Sequence, residues 1–201
     1  MKFNKVFHQF SIDNLQSSIV RDKRMKEIVL VIGGCRSGKS RYAIEVAKQI
    51  PGDRRIFIAT CVPKDKEMEE RVARHKEERE KSWSTIEVPT RLPEAIIEYS
   101  TKSDLILVDC LTLWISNLIL ENSNIDMSKP IMCLTDSLEK AQCPVIMVSN
   151  EVGTGIVPEN RLARLFRDAV GFANQSIAES SDRVIWMVAG IPVPLKLRAE
   201  S

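Results

Sequence analysis

Apolar residues are concentrated in five short, continuous runs between positions 28 and 188. Runs without alternation of apolar and polar residues are typical of strands that are covered on both faces, as in parallel sheets. Stretches of helical length separate them. The pattern predicts an α/β fold with a doubly wound, mostly parallel sheet of five or more strands and helices on both faces. The predicted strands are Ile28–Ile32, Ile56–Ala59, Leu105–Val108, Val145–Ser149 and Val184–Val188, and the predicted helices are Ser40–Ile50, Lys66–Lys81, Leu92–Ser100, Leu111–Leu120, Met127–Gln142 and Pro158–Ala178.

The first 24 residues form a separate region in composition, because they contain Phe3, Phe7 and Phe10, half of the six phenylalanines. With Val6, these residues have the spacing of a short amphipathic helix that would pack on the domain or on a partner. The plainer alternative is an extension upstream of a domain that begins at Met25. We therefore predict an N-terminal extension over residues 1–24 and a single P-loop domain over residues 25–201.

Composition and charge exclude several classes of protein. The 201 residues are 44% hydrophobic and 28% charged, which excludes a disordered scaffold. A net charge of +2 and only 5% aromatic residues argue against a nucleic-acid-binding module. No apolar run approaches the roughly 20 residues of a membrane span. Five cysteines without a Cys-x-x-Cys pair fit neither a disulfide framework nor a zinc site and favour a cytoplasmic location.

A phosphate-binding motif, G-x-x-x-x-G-K-S, follows the first predicted strand and opens the first predicted helix. Glycines let backbone N–H groups surround phosphate oxygens, a lysine reaches the β- and γ-phosphates, and a hydroxyl binds Mg²⁺. The alternative is a glycine-rich turn that merely caps the helix. The motif predicts a P-loop NTPase-like site for ATP or GTP at Gly33, Gly34, Cys35, Arg36, Ser37, Gly38, Lys39 and Ser40.

An acidic residue is expected to complete the Mg²⁺ site with Ser40. Asp109 ends the apolar run of the third predicted strand, which is the position of a Walker B carboxylate. The alternative is that Asp109 caps the helix predicted from Leu111.

His75 is the one histidine of the predicted domain. It shares a helical stripe with Met68, Val72 and Arg79, which predicts that it points toward the body of the protein. A histidine beside a nucleotide can serve as nucleophile or as acid and base. Periodicity alone leaves a packed, hydrogen-bonded histidine as an alternative.

A polar, glycine-containing loop follows the fourth predicted strand, from Ser149 to Asn160, where ligands bind in this class of fold. Its Pro158 suits the first turn of a helix. Beyond it, Arg161, Arg164 and Arg167 either present cations to phosphate or occupy a solvated face.

Together these residues resemble the bifunctional adenosylcobinamide kinase / adenosylcobinamide-phosphate guanylyltransferase family of cobalamin biosynthesis. The phosphate loop alone would identify only a superfamily, whereas the block around His75 and the loop after Asn150 are specific. Two positions depart from common family residues, since Cys35 replaces a frequent alanine and Asp109 a glutamate found in some members. The resemblance covers about residues 27–196 and rests on residues 33–41, 58–60, 67–68, 71–76, 83–87, 109–114, 150–153 and 155–160.

The resemblance implies that His75 is the nucleophile that carries GMP, and that Lys39 is catalytic through charge neutralisation in the kinase step. It also implies nucleotide contacts at Ala59, Thr60, Cys61, Lys76, Glu77, Glu78, Arg79, Glu87 and Asp109.

The implied reaction phosphorylates adenosylcobinamide with ATP or GTP and Mg²⁺, then transfers GMP from GTP to adenosylcobinamide phosphate. A homo-oligomer, specifically a trimer, is also implied by resemblance. Alternatives are a P-loop small-molecule kinase without the transferase step and a nucleotide-gated binding module.

Overall fold

The computed structural model describes residues 26–62 and 83–197. The predicted extension, residues 1–24, and the predicted helix around His75 lie outside the described residues. Within these ranges no helix is long and apolar enough to cross a membrane. The elements are β1 (Ile28–Gly33), α1 (Lys39–Gln49), β2 (Arg55–Ala59), β3 (Trp83–Glu87), α2 (Leu92–Ser100), β4 (Leu105–Asp109), α3 (Leu111–Glu121), α4 (Ser128–Lys140), β5 (Val145–Asn150), α5 (Arg161–Ser180), β6 (Arg183–Val188) and β7 (Ile191–Lys196).

The strands form one sheet in the order β3-β2-β4-β5-β1-β6-β7. Strands β1 to β6 are parallel to one another, and β7 pairs antiparallel with β6. The register aligns Gly33 with Asn150, and aligns Ala59 with both Asp109 and Glu87. The ends of five strands therefore lie at one edge, the carboxyl edge of the sheet.

Both faces of the sheet are buried, which explains why the strand sequences are continuously apolar. In β1, Leu30 packs into a core beneath α2, α3, α4 and α5, while Val29 and Val31 pack into a second core beneath α1. The predicted α/β architecture with a mostly parallel sheet is confirmed.

Two edge strands, β3 and β7, were not among the predicted strands. Every residue of β3 is exposed or half-buried, and the strand has no apolar run. Strand β7 contains Pro192 and Pro194, which argue against a strand but are tolerated at a sheet edge. The prediction that Pro158 begins a helix was wrong. Helix α5 begins at Arg161 because the Asn160 side chain caps it, accepting from the N–H groups of Leu162 and Ala163.

Candidate nucleotide site

The phosphate loop connects β1 to α1 at the carboxyl edge and is held in a compact conformation. Arg36 and Gly38 have positive φ angles of 53° and 91°. The N–H of Gly190, in the turn between β6 and β7, donates to the Ser37 carbonyl over 3.1 Å. A Cβ atom on Gly33 would lie 2.4 Å from the carbonyl oxygen of Met187, so the chain needs a glycine there.

Lys39 begins α1 and is 7% exposed. Its Nζ donates to the Gly34 carbonyl oxygen over 2.5 Å and forms no ion pair with a described residue. Burial lowers the pKa of Lys39, and the nearby Cys110, Asp109 and Cys35 oppose that shift. The ammonium group is thus desolvated and only partly compensated, which suits it to bind an incoming anion.

Ser37 supplies a second unsatisfied group inside the same loop. Its hydroxyl is buried and has no hydrogen-bond partner among the described residues. Buried hydroxyls are usually hydrogen-bonded, so one without a partner needs an explanation. A phosphate oxygen held in the loop would provide the missing partner for Ser37 and a counter-charge for Lys39.

Ser40 and Asp109 carry oxygen donors, the ligand type that Mg²⁺ prefers in proteins. Ser40 lies in the first turn of α1 and is half-buried, as is Asp109 at the end of β4. The helix cap is Cys110, so Asp109 is the last residue of the strand and not the cap. Among the described residues no three His, Cys, Asp or Glu side chains cluster to hold a metal ion.

The remaining described candidates continue along the same edge on the other side of Asp109. Ala59 ends β2 and Glu87 ends β3, directly opposite each other in the register. Thr60 is fully buried, Cys61 is half-buried, and Glu87 is exposed. With adjacent strands about 4.8 Å apart, Glu87 lies roughly 19 Å from Gly33, four strands away. The candidates therefore span a site several strands wide.

The other expected residues, His75, Lys76, Glu77, Glu78 and Arg79, lie outside the described residues. They belong to the segment between Val62 and Trp83. Val62 comes three residues after β2 ends at the carboxyl edge. Their predicted roles stay predictions.

The loop after β5 is hydrogen-bonded directly to the phosphate loop, because the N–H of Glu151 donates to the Gly33 carbonyl over 2.9 Å. Thr112 accepts from the N–H of Asn150 over 2.8 Å, and Asn174 donates to the Asn150 carbonyl over 3.2 Å. Sequence reasoning missed Thr112 and Asn174, since each is distant in sequence from the loop it supports.

The three arginines of α5 do not act as one set. Arg164 donates to the carbonyl oxygens of Pro158 and Glu159 over 3.0 and 2.5 Å, so it stabilises the end of the loop. Arg161 is exposed, and Arg167 is half-buried. The Nη1 atom of Arg167 is buried without a partner among the described residues.

Comparison with known proteins decides the family. Residues 29–195 match the family described as cobinamide kinase / cobinamide phosphate guanyltransferase, CobU. The chain belongs to this family. The predicted resemblance is confirmed, as is the prediction of an enzyme that combines a kinase and a guanylyltransferase in cobalamin biosynthesis. Membership implies nucleotides and cobinamides as substrates.

Curated relatives agree over nearly their whole length. The chain is 40% identical over 167 residues to the bifunctional adenosylcobalamin biosynthesis protein CobP of Pseudomonas aeruginosa, covering 83% of this chain and 96% of the relative. It is 37% identical over 182 residues to the bifunctional adenosylcobalamin biosynthesis protein CobU of Salmonella typhimurium, covering 84% and 99%.

A solved structure supports the fold alone. The flagellar accessory protein FlaH of Methanocaldococcus jannaschii aligns with a TM-score of 0.53 and 14% identity, over 92% of this chain and 85% of that one.

Proposed function

We propose that this protein phosphorylates adenosylcobinamide with ATP or GTP and then transfers GMP from GTP to the product, forming adenosylcobinamide-GDP. The observation that carries the proposal is the buried, partly compensated ammonium group of Lys39, which lies in a phosphate loop at the same sheet edge as Asp109. Family membership supplies the identity of the corrinoid substrate.

In the kinase half, the phosphate loop holds the triphosphate and the corrinoid's aminopropanol hydroxyl attacks the γ-phosphorus. The bond to the β-phosphate bridging oxygen breaks, and the nucleoside diphosphate leaves. Lys39 neutralises charge on the β- and γ-phosphates, while loop N–H groups fix their position. Mg²⁺, held by Ser40 and Asp109, would neutralise further charge on the phosphates when bound.

In the transferase half, neutral His75 attacks the α-phosphorus of GTP and pyrophosphate leaves. The resulting guanylyl-histidine is attacked by the phosphate of adenosylcobinamide phosphate, which takes the GMP and frees His75. This role rests on the sequence around His75 and on family membership. Arg79 is proposed to stabilise charge on the α-phosphate.

The other predicted contacts stay proposals for nucleotide binding: Gly33, Gly34, Cys35, Arg36, Ser37, Gly38, Ala59, Cys61, Lys76, Glu77, Glu78 and Glu87. The contact predicted at Thr60 gives way to the positioning role that its hydrogen bonds support. We also propose that residues 1–24 form an N-terminal extension and residues 25–201 a single P-loop domain. A reducing, cytoplasmic location also stays a proposal, supported by five cysteines without a Cys-x-x-Cys pair.

Self-association is supported by an exposed apolar face on the β6–β7 hairpin. Trp186 is aligned with Val193, and Val188 with Ile191, so the four side chains share one face of the sheet. All four are exposed, with Trp186 at 41% and Ile191 at 64%. Contiguous exposed apolar patches usually mark an interaction surface. A second copy of this chain is the occupant we propose, within a homo-oligomer such as a trimer.

The direct test is to incubate the protein with adenosylcobinamide and either nucleotide, and to identify the products by mass spectrometry. We expect adenosylcobinamide phosphate with ATP and adenosylcobinamide-GDP with GTP. Phosphate product alone with both nucleotides would favour the kinase without the transferase step. No corrinoid product from folded protein that binds nucleotide would refute the proposal.

A further inference from the structure

We propose that Thr60 is a positioning residue that holds the end of β4, and with it Asp109, in the geometry required for binding of nucleotide with Mg²⁺. This inference rests on the proposed function of the same site. It assigns Thr60 a role through the protein rather than through a direct contact with the nucleotide.

The Thr60 side chain clamps the residue that follows Asp109. Its hydroxyl donates to the carbonyl oxygen of Cys110 over 2.7 Å and accepts from the N–H of Cys110 over 2.9 Å. Its own N–H faces the carbonyl oxygen of Asp109 over 3.4 Å. Every donor of Thr60 is therefore used on the backbone of residues 109 and 110, and the residue is 0% exposed.

Asn117 extends the clamp to a third element. From α3, its Nδ2 donates to the carbonyl oxygens of Thr60, over 2.8 Å, and Pro89, over 3.0 Å. Pro89 follows β3 and Thr60 follows β2, so one amide joins the segments after both strands. The carboxyl ends of β2, β3 and β4 are linked through these two side chains.

The clamp has a specific consequence for Asp109. Cys110 is buried and is the N-cap residue of α3. Without the Thr60 hydroxyl, the N–H of Cys110 would lose its partner in a buried place, while its carbonyl would keep only the N–H of Trp114, at 3.3 Å, among the described residues. The backbone would shift to give the N–H a new partner. Since Asp109 precedes Cys110, such a shift would move its carboxylate relative to Ser40. Residues that orient metal ligands typically change metal affinity about 10- to 100-fold when they are replaced.

The test compares Thr60→Val, which keeps the shape but removes the hydroxyl, with Thr60→Ser, which keeps the hydroxyl. Binding of a fluorescent, non-hydrolysable GTP analogue is measured with and without Mg²⁺, without any corrinoid. We expect Thr60→Val to need about tenfold more Mg²⁺ for half-maximal enhancement of binding, and to bind the metal-free analogue as wild type does. Thr60→Ser should restore the wild-type Mg²⁺ dependence.

The controls separate positioning from general destabilisation. Ser181→Ala removes an equally buried hydroxyl that donates to the Ile177 carbonyl, away from the site, and should leave the Mg²⁺ dependence unchanged. If Thr60→Val does not fold, Asn117→Ala replaces it as the test variant. Asn117 is half-buried and its loss weakens the clamp, so the Mg²⁺ concentration at half-maximal enhancement of binding should rise in this variant as well. An unchanged midpoint, or an equal loss with and without Mg²⁺, would overturn the inference. Binding needs no turnover, so failure of the proposed function in the product assay would be seen separately.

Discussion

The two edges of the sheet differ in whether their charged side chains form ion pairs. At the amino edge, Arg183 and Glu27 form a largely buried pair with 2.8 Å between Nε and Oε1, and Arg54 and Asp104 form an exposed pair at 2.6 Å. At the carboxyl edge, Lys39 is buried with no ion pair among the described residues. The amino edge closes the fold, whereas the carboxyl edge keeps charge available for a ligand.

The backbone shows the same contrast. Asp182 accepts from the N–H of Ile28 over 2.8 Å at the amino edge, which satisfies a strand end. In the phosphate loop, Arg36 is held at a positive φ and the buried Ser37 hydroxyl has no partner among the described residues. A buried atom without a partner among the described residues also occurs at the amino edge, at Arg55 Nε, but the phosphate loop combines such an atom with a buried ammonium group and a positive φ within residues 36–39.

Lys39→Met, at the carboxyl edge, should have the largest effect on function. We expect phosphoryl transfer to fall by about 100-fold or more, because the charge on the phosphates loses its main neutralising group. Nucleotide should no longer raise the melting temperature of the variant, as measured by thermal unfolding.

The free Lys39→Met protein, however, should be at least as stable as wild type. Burial lowers the pKa of Lys39, so the folded state carries a cost for the charged form. That cost is fully present below the lowered pKa and disappears as the pH rises toward 10.5, the ordinary pKa of lysine. Chemical denaturation at pH 7 and pH 10 should show the variant's advantage shrinking. A clear loss of stability at pH 7 would contradict this account.

Arg183→Met tests the opposite edge. Removing one member of a largely buried ion pair leaves the other without compensation, and we expect a loss of about 3 kcal/mol in the free energy of unfolding. Binding of nucleotide to the folded fraction should be unchanged, because Arg183 lies at the far end of β6. If Arg183→Met kept its stability but lost nucleotide affinity, the assignment of stability to the amino edge and of binding to the carboxyl edge would be contradicted.

Gly33→Ala and Gly34→Ala form a matched pair within the phosphate loop. A Cβ on Gly33 would approach the Met187 carbonyl to 2.4 Å, whereas nothing lies within 4 Å of one on Gly34. We expect Gly33→Ala to lose about 2 kcal/mol of stability, and Gly34→Ala to stay within about 0.5 kcal/mol of wild type. Urea unfolding without nucleotide measures both. Equal losses of stability in the two variants would show that the close approach of Gly33 to Met187 is not what requires a glycine at this position.

The smallest effect is expected at the exposed pair of Arg54 and Asp104. Hydrogen bonds from Arg54 lower the pKa of the Asp104 carboxyl below its ordinary value of 3.8. The contribution is therefore present above that value and is lost as the pH falls through the lowered pKa. Arg54→Met should lower the free energy of unfolding only slightly at pH 7, because both partners are exposed to solvent screening, and the difference from wild type should disappear in acid. A larger loss, or one that persists in acid, would show a role beyond the ion pair.

The fold could be predicted where a continuous apolar run indicates a strand that is buried on both faces. Interior strands such as β1 and β5 are covered on both faces, so their continuous apolar runs were sufficient. The edge strand β3 is partly exposed and lacks such a run. Strand β7 contains two prolines, which argue against a strand in the sequence although an edge strand tolerates them.

The same distinction holds for the site. The phosphate loop and Asp109 could be predicted because the chemistry of each is encoded in adjacent residues and in the end of a strand. The clamp formed by Thr60 and Asn117 could not be predicted, because Thr60 meets Cys110 across 50 residues and Asn117 across 57. Only the sheet order brings these residues together.

The measurement that tests the central claim most directly is labelling with GTP that carries ³²P at the α-phosphorus, followed by acid and base treatment. We predict a label on wild-type protein that is acid-labile and base-stable, as a phosphoramidate to histidine should be, and no label on His75→Ala. Nucleotide binding by the variant would show that its phosphate loop is intact. Absence of label from folded, nucleotide-binding wild-type protein, or equal labelling of His75→Ala, would contradict the account.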